Sequence, residues 1–193
     1  TFRRCVKERL CLHPITAWLY CQIANSHQGR RLKCYNICMI FAYALLAGVL
    51  PALLWLWFWL REDSLHPEPR ILLFISFISG MIVVILAVFL EKYAADVVVD
   101  ETNKYIVWAA IEEICKFLAM IVVTINSRYM DEPIDAMIYC ITVALGFAAL
   151  ENTLFIITPL HSGDIIKGIV TGDMRFIGAS LVHTVSSAII GFM

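Results

Sequence analysis

Two adjacent glutamates and a lysine interrupt an apolar run in the stretch AAIEEICKFLAM, residues 109–120. Glu112 and Lys116 are four residues apart, so on a helix they share one face in the order that favours an ion pair. Glu113 lies about 100° further round, because an α-helix has 3.6 residues per turn. One glutamate can therefore pair with the lysine while the other interacts with a different group.

A third glutamate and a histidine occupy apolar stretches later in the chain. Glu151 lies within residues 136–160, and His183 lies within residues 176–193. If each stretch crosses a membrane as a helix, these side chains and Glu112 are about 10–14 Å below the same membrane face. Ionisable groups are costly in lipid, so we expect the helices to turn them inward, toward one another or toward water. The sequence thus predicts one polar layer to which three helices contribute.

This combination of residue types is suited to hydrolysis. Carboxylate oxygen and imidazole nitrogen atoms are good zinc ligands, and a neighbouring glutamate can activate a water molecule as a general base. We predict that a divalent metal ion, with zinc the best match, binds Glu151 and His183 together with one glutamate of the pair at 112 and 113. Asn152 directly follows Glu151, and Ser187 lies one helical turn after His183. Both can orient ligands or stabilise an oxyanion.

The composition indicates a protein that resides in a lipid bilayer. Hydrophobic residues make up 61% of the 193 residues and charged residues only 16%, with a mean hydropathy of +0.79, whereas a soluble domain averages about 25% charged residues. The net charge of −1 gives no indication of nucleic-acid binding. The seven cysteines are an odd number without a Cys-x-x-Cys pair, which argues against a closed disulfide framework.

Five apolar segments are long enough to cross the hydrocarbon as helices, which takes about 20 residues for about 30 Å. They are residues 37–60, 71–90, 105–125, 136–160 and 176–193. Lipid satisfies no backbone polar group, and five segments of this length do not form a barrel, so each is predicted to be a helix. The predicted fold class is an all-α, polytopic membrane helix bundle. It has at least five transmembrane helices around a polar intramembrane site.

Charge divides the chain into two parts. Residues 1–36 form a basic amino-terminal segment, in which the stretch 10–24 is predicted to lie on the membrane surface. Residues 37–193 form the multi-helix membrane domain, and its last segment is expected to be cut short at the chain end. Polar connections are predicted at residues 61–70, 91–104, 126–135 and 161–175. Lys and Arg are concentrated on the side of the amino terminus, which the positive-inside rule places in the cytoplasm.

Several motifs, in order along the chain, resemble those of the PrsW-type intramembrane proteases. EEICK (112–116) resembles the EExxK motif of that family, GFAALEN (146–152) its Phe…Glu-Asn motif, and RFIGASLVH (175–183) its Arg…His motif. LREDSLHPEPRILLFISFISG (60–80) resembles the Pro-Glu-Pro start of its second helix. DEPIDAMIYCITVALGF (131–147) resembles the Asp-led approach to its fourth. The family is similar to the CAAX prenyl proteases and the bacteriocin-processing membrane proteases.

The resemblance covers residues 51–193 and implies a membrane-embedded protease, a glutamate-dependent metalloprotease of the cell membrane. PrsW-type proteases are associated with cutting single-pass membrane proteins, including anti-sigma factors, to begin regulated intramembrane proteolysis. The resemblance implies four catalytic residues: Glu112, Glu113, Glu151 and His183. It implies five supporting residues: Lys116, Phe147, Asn152, Arg175 and Ser187.

The related membrane proteases also suggest roles within this set. They indicate Glu112 as the general base that takes a proton from the attacking water, whereas helix geometry allows either glutamate. Glu113 would hold a ligand or the metal, and Lys116 would set the charge of the pair. Glu151 stands where the prenyl proteases usually carry a histidine, which replaces a nitrogen donor by an oxygen donor. Ser187 stands where they often carry an asparagine.

Two other functions are compatible with the same polar layer. A non-catalytic relative that binds a lipidated or membrane protein would carry the same residues. A proton-coupled transporter also uses buried Glu and His side chains. The sequence shows neither the repeat symmetry nor the broken half-helices typical of transporters. The protease is therefore the preferred hypothesis.

Overall fold

The computed structural model describes residues 30–62, 68–124, 127, 129–130, 132–161 and 164–193. Most of the basic segment 1–36, including the predicted surface stretch 10–24, falls outside these residues. The described part of the chain is helical and contains no strand. Its elements are α1 (Arg30–Glu62), α2 (Arg70–Val97), α3 (Glu101–Thr124), α4 (Pro133–His161), α5 (Ile165–Met174), a π-helical turn (Arg175–Ala179) and α6 (Ser180–Phe192).

Four helical stretches are long and apolar enough to cross a membrane, judged by length and composition. They are Met39–Arg61, Arg70–Val97, Ile134–His161 and Ile165–Phe192. They match four of the predicted segments and confirm an all-α, multi-pass membrane protein. Helix α3 has 24 residues, which is also enough to span the hydrocarbon, but it carries Glu112, Glu113 and Lys116. Its membrane crossing stays a prediction.

Helix α4 is the centre of the bundle. In its apolar stretch 78% of the residues are buried inside the protein, compared with 17%, 33% and 22% for the other three spans. Buried residues lie on every side of α4, as Tyr139, Ile141 and Val143 illustrate, which is expected of a helix surrounded by others. Helices α1, α2 and α6 all pack along it. A side chain on α4 can therefore meet partners from several helices.

Close backbone contact holds α2 against α4. A Cβ atom on Gly80 would lie 2.0 Å from the carbonyl oxygen of Val143, and one on Gly146 would lie 2.0 Å from that of Phe77. A larger side chain at either position would require the backbones to move apart. Small residues are typical of helix interfaces in membranes, where van der Waals packing drives association. This contact fixes α2 beside the helix that carries Glu151.

Helix α2 continues beyond Leu90, where its predicted segment ends. Its buried face repeats at helical spacing through the following residues: Gly80, Val84, Ala87, Glu91 and Ala94. The prediction of a polar connection beginning at residue 91 was wrong, because it treated the first charged residue as the end of the helix. The structure instead extends α2 to Val97 and buries Glu91.

The predicted polar connection 161–175 also contains a helix. Helix α5 follows Asp164, whose side chain accepts a hydrogen bond from the backbone N–H of Lys167 at 3.0 Å and so caps the helix. From there the chain runs on through the π-helical turn as one span, Ile165–Phe192. The prediction of a connection was wrong because it gave the glycines of this stretch more weight than the capping position of Asp164.

Candidate active site

His183 lies at the centre of a polar cluster between α3, α4 and α6. The residue is 7% exposed, and its ring centroid lies 5.5 Å from that of Phe147. Nε2 lies 3.1 Å from a carboxylate oxygen of Glu151, and Nδ1 lies 2.8 Å from Nζ of Lys116. The three helices that were predicted to share one polar layer therefore bring their side chains into contact at this histidine.

These two contacts determine which nitrogen of His183 carries the proton. The Lys116 ammonium group has three donor hydrogens and no acceptor, so Nδ1 must accept. In the neutral imidazole the proton then lies on Nε2, which donates to Glu151. This assignment follows from the hydrogen-bond network rather than from an observed hydrogen. The histidine thus links a cation on one side to a carboxylate on the other.

Glu113 is held through both carboxylate oxygens. Lys116 Nζ lies 2.6 Å from Oε1, Ser186 Oγ lies 2.8 Å from the same oxygen, and Ser187 Oγ donates to Oε2 at 3.0 Å. Lys116 is only 2% exposed, and its ammonium group also lies 4.8 Å from the centroid of the Phe147 ring, a cation–π distance. The lysine therefore forms its ion pair with the glutamate three residues earlier.

Glu112 is in a different environment. Its Oε2 lies 3.8 Å from Nδ1 of His183, which is beyond hydrogen-bond distance. Its side chain is 20% exposed. The charged neighbours of its carboxyl group are Glu91, Glu113, Lys116 and Glu151. Three of these four are carboxyl groups, so this site gathers negative charge around Glu112.

A π-helical turn brings Arg175 against α4. Its guanidinium donates to Glu151 and, through Nε, to the amide oxygen of Asn152 at 2.7 Å. The amide nitrogen of Asn152 donates in turn to Ser180 Oγ at 3.2 Å. Single π-helical turns within α-helices frequently occur at functional sites. Glu151 is hydrogen-bonded from two sides, by this arginine and by the imidazole of His183.

All predicted site residues lie in or against this cluster. The sequence reasoning missed three residues that the structure adds: Glu91, Ser180 and Ser186. Ser186 directly precedes the predicted residue Ser187 and lies three residues after His183. Helical periodicity could therefore have placed Ser186 in the site. Glu91 continues the inward face of α2 at the same three-or-four-residue spacing as Val84 and Ala87, which is the signal that could have placed it inside.

Fold and site together define a class: a polytopic membrane protein whose helices enclose carboxylates, an imidazole and two cationic side chains. Comparison with protein families then identifies the family within that class. The chain belongs to the family described as PrsW family intramembrane metalloprotease, whose model matches residues 68–193. The family resemblance inferred from the motifs is thereby confirmed.

Three relatives illustrate the similarity, each bearing the name Protease PrsW. That of Geobacillus kaustophilus is 28% identical over 149 residues, covering 76% of this chain and 63% of the relative. That of Clostridioides difficile is 30% identical over 118 residues, covering 58% of this chain and 49% of the relative. That of Bacillus subtilis is 26% identical over 114 residues, covering 58% of this chain and 52% of the relative. The chain thus spans from about half to 63% of the length of these relatives, and no solved structure matches it.

The family description implies a metal ion, so the donors in the site can be tested for one. Glu151 and His183 are adjacent and offer oxygen and nitrogen, as zinc requires. However, Nε2 carries the proton donated to Glu151, and a metal at Nε2 would need that position deprotonated. The third predicted ligand, Glu113, is engaged by Lys116 and two serines. Among the described residues no three His, Cys, Asp or Glu side chains are placed to hold a metal.

As they are arranged here, Glu113, Glu151 and His183 therefore do not fit a zinc ion. The zinc site stays a prediction from the sequence. The hydrogen bonds instead give His183 an orienting position between Lys116 and Glu151.

Proposed function

We propose that this chain is an intramembrane endopeptidase, a hydrolase that cuts a peptide bond in a membrane-anchored protein. The observation that carries the proposal is the convergence of Glu112, Glu113, Lys116, Glu151 and His183 in one site between otherwise apolar helices. Membership of the PrsW family and relatives named as proteases support it. Buried charges are expensive in a membrane, so such a cluster is better explained by chemistry than by packing.

Glu112 is the general base in this proposal. Both oxygens of Glu113 are occupied by Lys116 and by serine hydroxyls, which suits a residue that holds others in place. Glu112 lies beyond hydrogen-bond distance of His183 and is partly exposed, so its carboxylate can reach a water molecule. It removes a proton from the water that attacks the scissile carbonyl, and it returns the proton to the leaving amine.

Lys116 is the group that stabilises negative charge during this reaction. Among the residues that the structure describes, it is the cation whose charge acts on the Glu112 carboxyl group. A charged donor fixed near the base can stabilise the oxyanion that develops when the carbonyl is attacked. His183, Glu151 and Arg175 form a hydrogen-bonded chain that keeps α3, α4 and α6 in register.

The substrate proposed for this site is a single-pass membrane protein such as an anti-sigma factor, whose cleavage begins regulated intramembrane proteolysis. The site lies between membrane helices, so a substrate held in the same bilayer can approach it sideways. The exposed faces of α2 and α6 are apolar, with Ile82, Phe89 and Val182 each more than 60% exposed, as lipid or a hydrophobic substrate helix requires.

The experiment is cleavage by the whole chain reconstituted in liposomes. The probes are a panel of single-span peptides, each carrying a fluorophore and a quencher on either side of its apolar stretch. We expect the wild-type chain to cut at least one peptide, and Glu112→Gln to lower kcat by about 10²–10⁴-fold, the usual contribution of a general base. Glu101→Gln changes an exposed glutamate at the start of the same helix and is expected to leave kcat unchanged.

Three outcomes would argue against the proposal. Equal rates for wild type and Glu112→Gln would remove this residue as the base. An inactive Glu113→Gln beside an active Glu112→Gln would exchange the two roles. Binding of a peptide without any cleavage by the wild-type chain would instead support the non-catalytic relative.

A further inference from the structure

Ser180 is a fully buried serine for which the reaction outlined above assigns no role. It is 0% exposed and directly follows the π-helical turn Arg175–Ala179 as the first residue of α6. Its backbone N–H reaches the carbonyl oxygen of Arg175, five residues back, whereas an α-helix uses the carbonyl four residues back. The turn therefore absorbs one residue more than a regular α-helix would.

This extra residue changes the direction in which Arg175 points. Arg175 and His183 are eight residues apart, and an uninterrupted α-helix would set them about 80° apart around its axis, at about 100° per residue. With one residue absorbed by the turn, the separation falls to about 20°, so both lie on one face. Both side chains contact the same carboxylate, that of Glu151. The π-helical turn thus brings the arginine and the histidine to one glutamate.

The hydroxyl group of Ser180 closes a ring of hydrogen bonds around this turn. Its Oγ donates to the backbone carbonyl of Arg175 at 3.2 Å and accepts from the side-chain amide of Asn152 at 3.2 Å. The amide oxygen of Asn152 accepts in turn from Nε of Arg175 at 2.7 Å. A hydroxyl has one donor hydrogen and two acceptor lone pairs, so both contacts of Ser180 can form together. The backbone and the side chain of Arg175 are thereby held by the same two residues.

This geometry differs from that of a serine or threonine that bonds only its own helix. Such hydroxyls usually bond a carbonyl three or four residues back, as Thr142 on α4 does with Ile138 at 2.8 Å. The hydroxyl of Ser180 reaches five residues back, to a carbonyl that the π-helical turn brings within range, and it also bonds a second helix. Its loss would deprive the amide of Asn152, a residue only 2% exposed, of this partner.

We propose that Ser180 is a positioning residue, which holds the π-helical turn and so directs the guanidinium of Arg175 onto Glu151. Its effect on cleavage rests on the proposed function, in which Arg175, Glu151 and His183 keep three helices in register. The inference requires that Ser180 act through Arg175. Removing the hydroxyl should therefore release the arginine, and it should cost nothing further once the arginine has been replaced.

Nuclear magnetic resonance of the detergent-solubilised chain, labelled at arginine nitrogen, tests the position of Arg175 without a substrate. The Nε–H signal of Arg175 is identified by its absence from Arg175→Lys. We expect this hydrogen to exchange with water at least about tenfold faster in Ser180→Ala than in wild type, because its hydrogen bond to Asn152 is lost. The matched control, Thr142→Val, also removes a fully buried hydroxyl and should leave the signal unchanged.

The liposome cleavage assay measures the consequence for the reaction, with rates expressed per folded molecule. Ser180→Ala should lower kcat by about 10- to 100-fold and keep KM within about twofold, because groups of the site are misplaced while substrate binding is retained. In an Arg175→Lys background the same substitution should change kcat by less than about twofold, since effects that act through one residue do not add. Thermal unfolding of the same preparations measures folding. If Ser180→Ala does not fold, Ser180→Cys takes its place, because a thiol fills the site but bonds weakly.

The outcomes separate this inference from the proposed function. An Arg175 Nε–H that stays protected in folded Ser180→Ala overturns the inference, even where the wild-type chain cleaves. A loss of kcat that multiplies with that of Arg175→Lys also overturns it, since Ser180 would then act independently. If the wild-type chain cuts no peptide, or Glu112→Gln cuts normally, the proposed function fails, and the Arg175 signal still decides whether Ser180 holds the arginine.

Discussion

Two regions of the bundle share helix α4 but bury opposite kinds of side chain. Where α2 crosses α4, Gly80 and Gly146 bring the backbones into contact, and apolar side chains fill the remaining space. Where α3 and α6 approach α4, the side chains that meet are Lys116, Glu151 and His183. The first region is stabilised by van der Waals packing. The second must offset lost hydration with hydrogen bonds and ion pairs.

This difference separates the region of closest backbone packing from the region of the proposed activity. The glycine contact depends on the small size of its residues and involves no charged group. The polar cluster depends instead on charged and hydrogen-bonding groups. The second region is retained at an energetic cost, which is the expected condition of a site that performs chemistry in a membrane.

The largest loss of stability is expected for Lys116→Met in the polar region. Removing one partner of a buried ion pair leaves the other charge uncompensated and costs about 3–5 kcal/mol. The serine contacts to Glu113 place the expected value at the lower end. Thermal and denaturant unfolding in detergent measure it. The double variant Glu113→Gln/Lys116→Met should recover most of the stability but none of the cleavage, and a double variant no more stable than Lys116→Met would contradict the pairing.

A smaller loss of stability, but no direct loss of chemistry, is expected for Gly146→Ala in the packed region. Its new Cβ would meet the carbonyl oxygen of Phe77 at 2.0 Å, and overpacking of this kind costs about 1–3 kcal/mol. Gly178→Ala is the matched control, since nothing lies within 4 Å of its Cβ position. The rate per folded molecule should equal that of wild type. Equal unfolding temperatures for both glycine variants would show that the close contact is absent in the membrane.

The smallest effect is expected for His183→Ala on metal content. With the proton of His183 on Nε2 and Lys116 at Nδ1, the imidazole is not arranged to bind a metal. Elemental analysis of purified wild type and His183→Ala should give the same zinc per chain. A zinc content that falls with the histidine would favour the predicted set of Glu151, His183 and Glu113 over the hydrogen bonds of His183 to Lys116 and Glu151.

Much of the fold was accessible from the sequence, and the exceptions share a cause. The apolar segments matched the spans, whereas the ends of α2 and α5 did not, because charged and small residues were read as connections. Glu91 belongs to the inward face of α2, and Asp164 caps α5. Asp164 is polar because it caps its own helix, whereas the burial of Glu91 depends on the helices packed against α2.

The sequence by itself determined that the chain lies in a lipid bilayer and that it is helical. Lipid satisfies no backbone group, so long apolar segments must be helices. The predicted common depth of Glu112, Glu151 and His183 was counted from a last helix that begins at residue 176, whereas the span that contains His183 begins at Ile165. The EEICK motif also contained the two glutamates and the lysine of the site.

Only the tertiary structure decided which of these side chains meet. Lys116 contacts His183 across 67 positions of sequence, and Ser187 contacts Glu113 across 74. Such contacts depend on the rotation of each helix about its own axis. In a membrane both the lipid-facing and the inward-facing sides of a helix are apolar, so hydropathy specifies that rotation poorly. The choice of Glu113 as the partner of Lys116 therefore comes from packing.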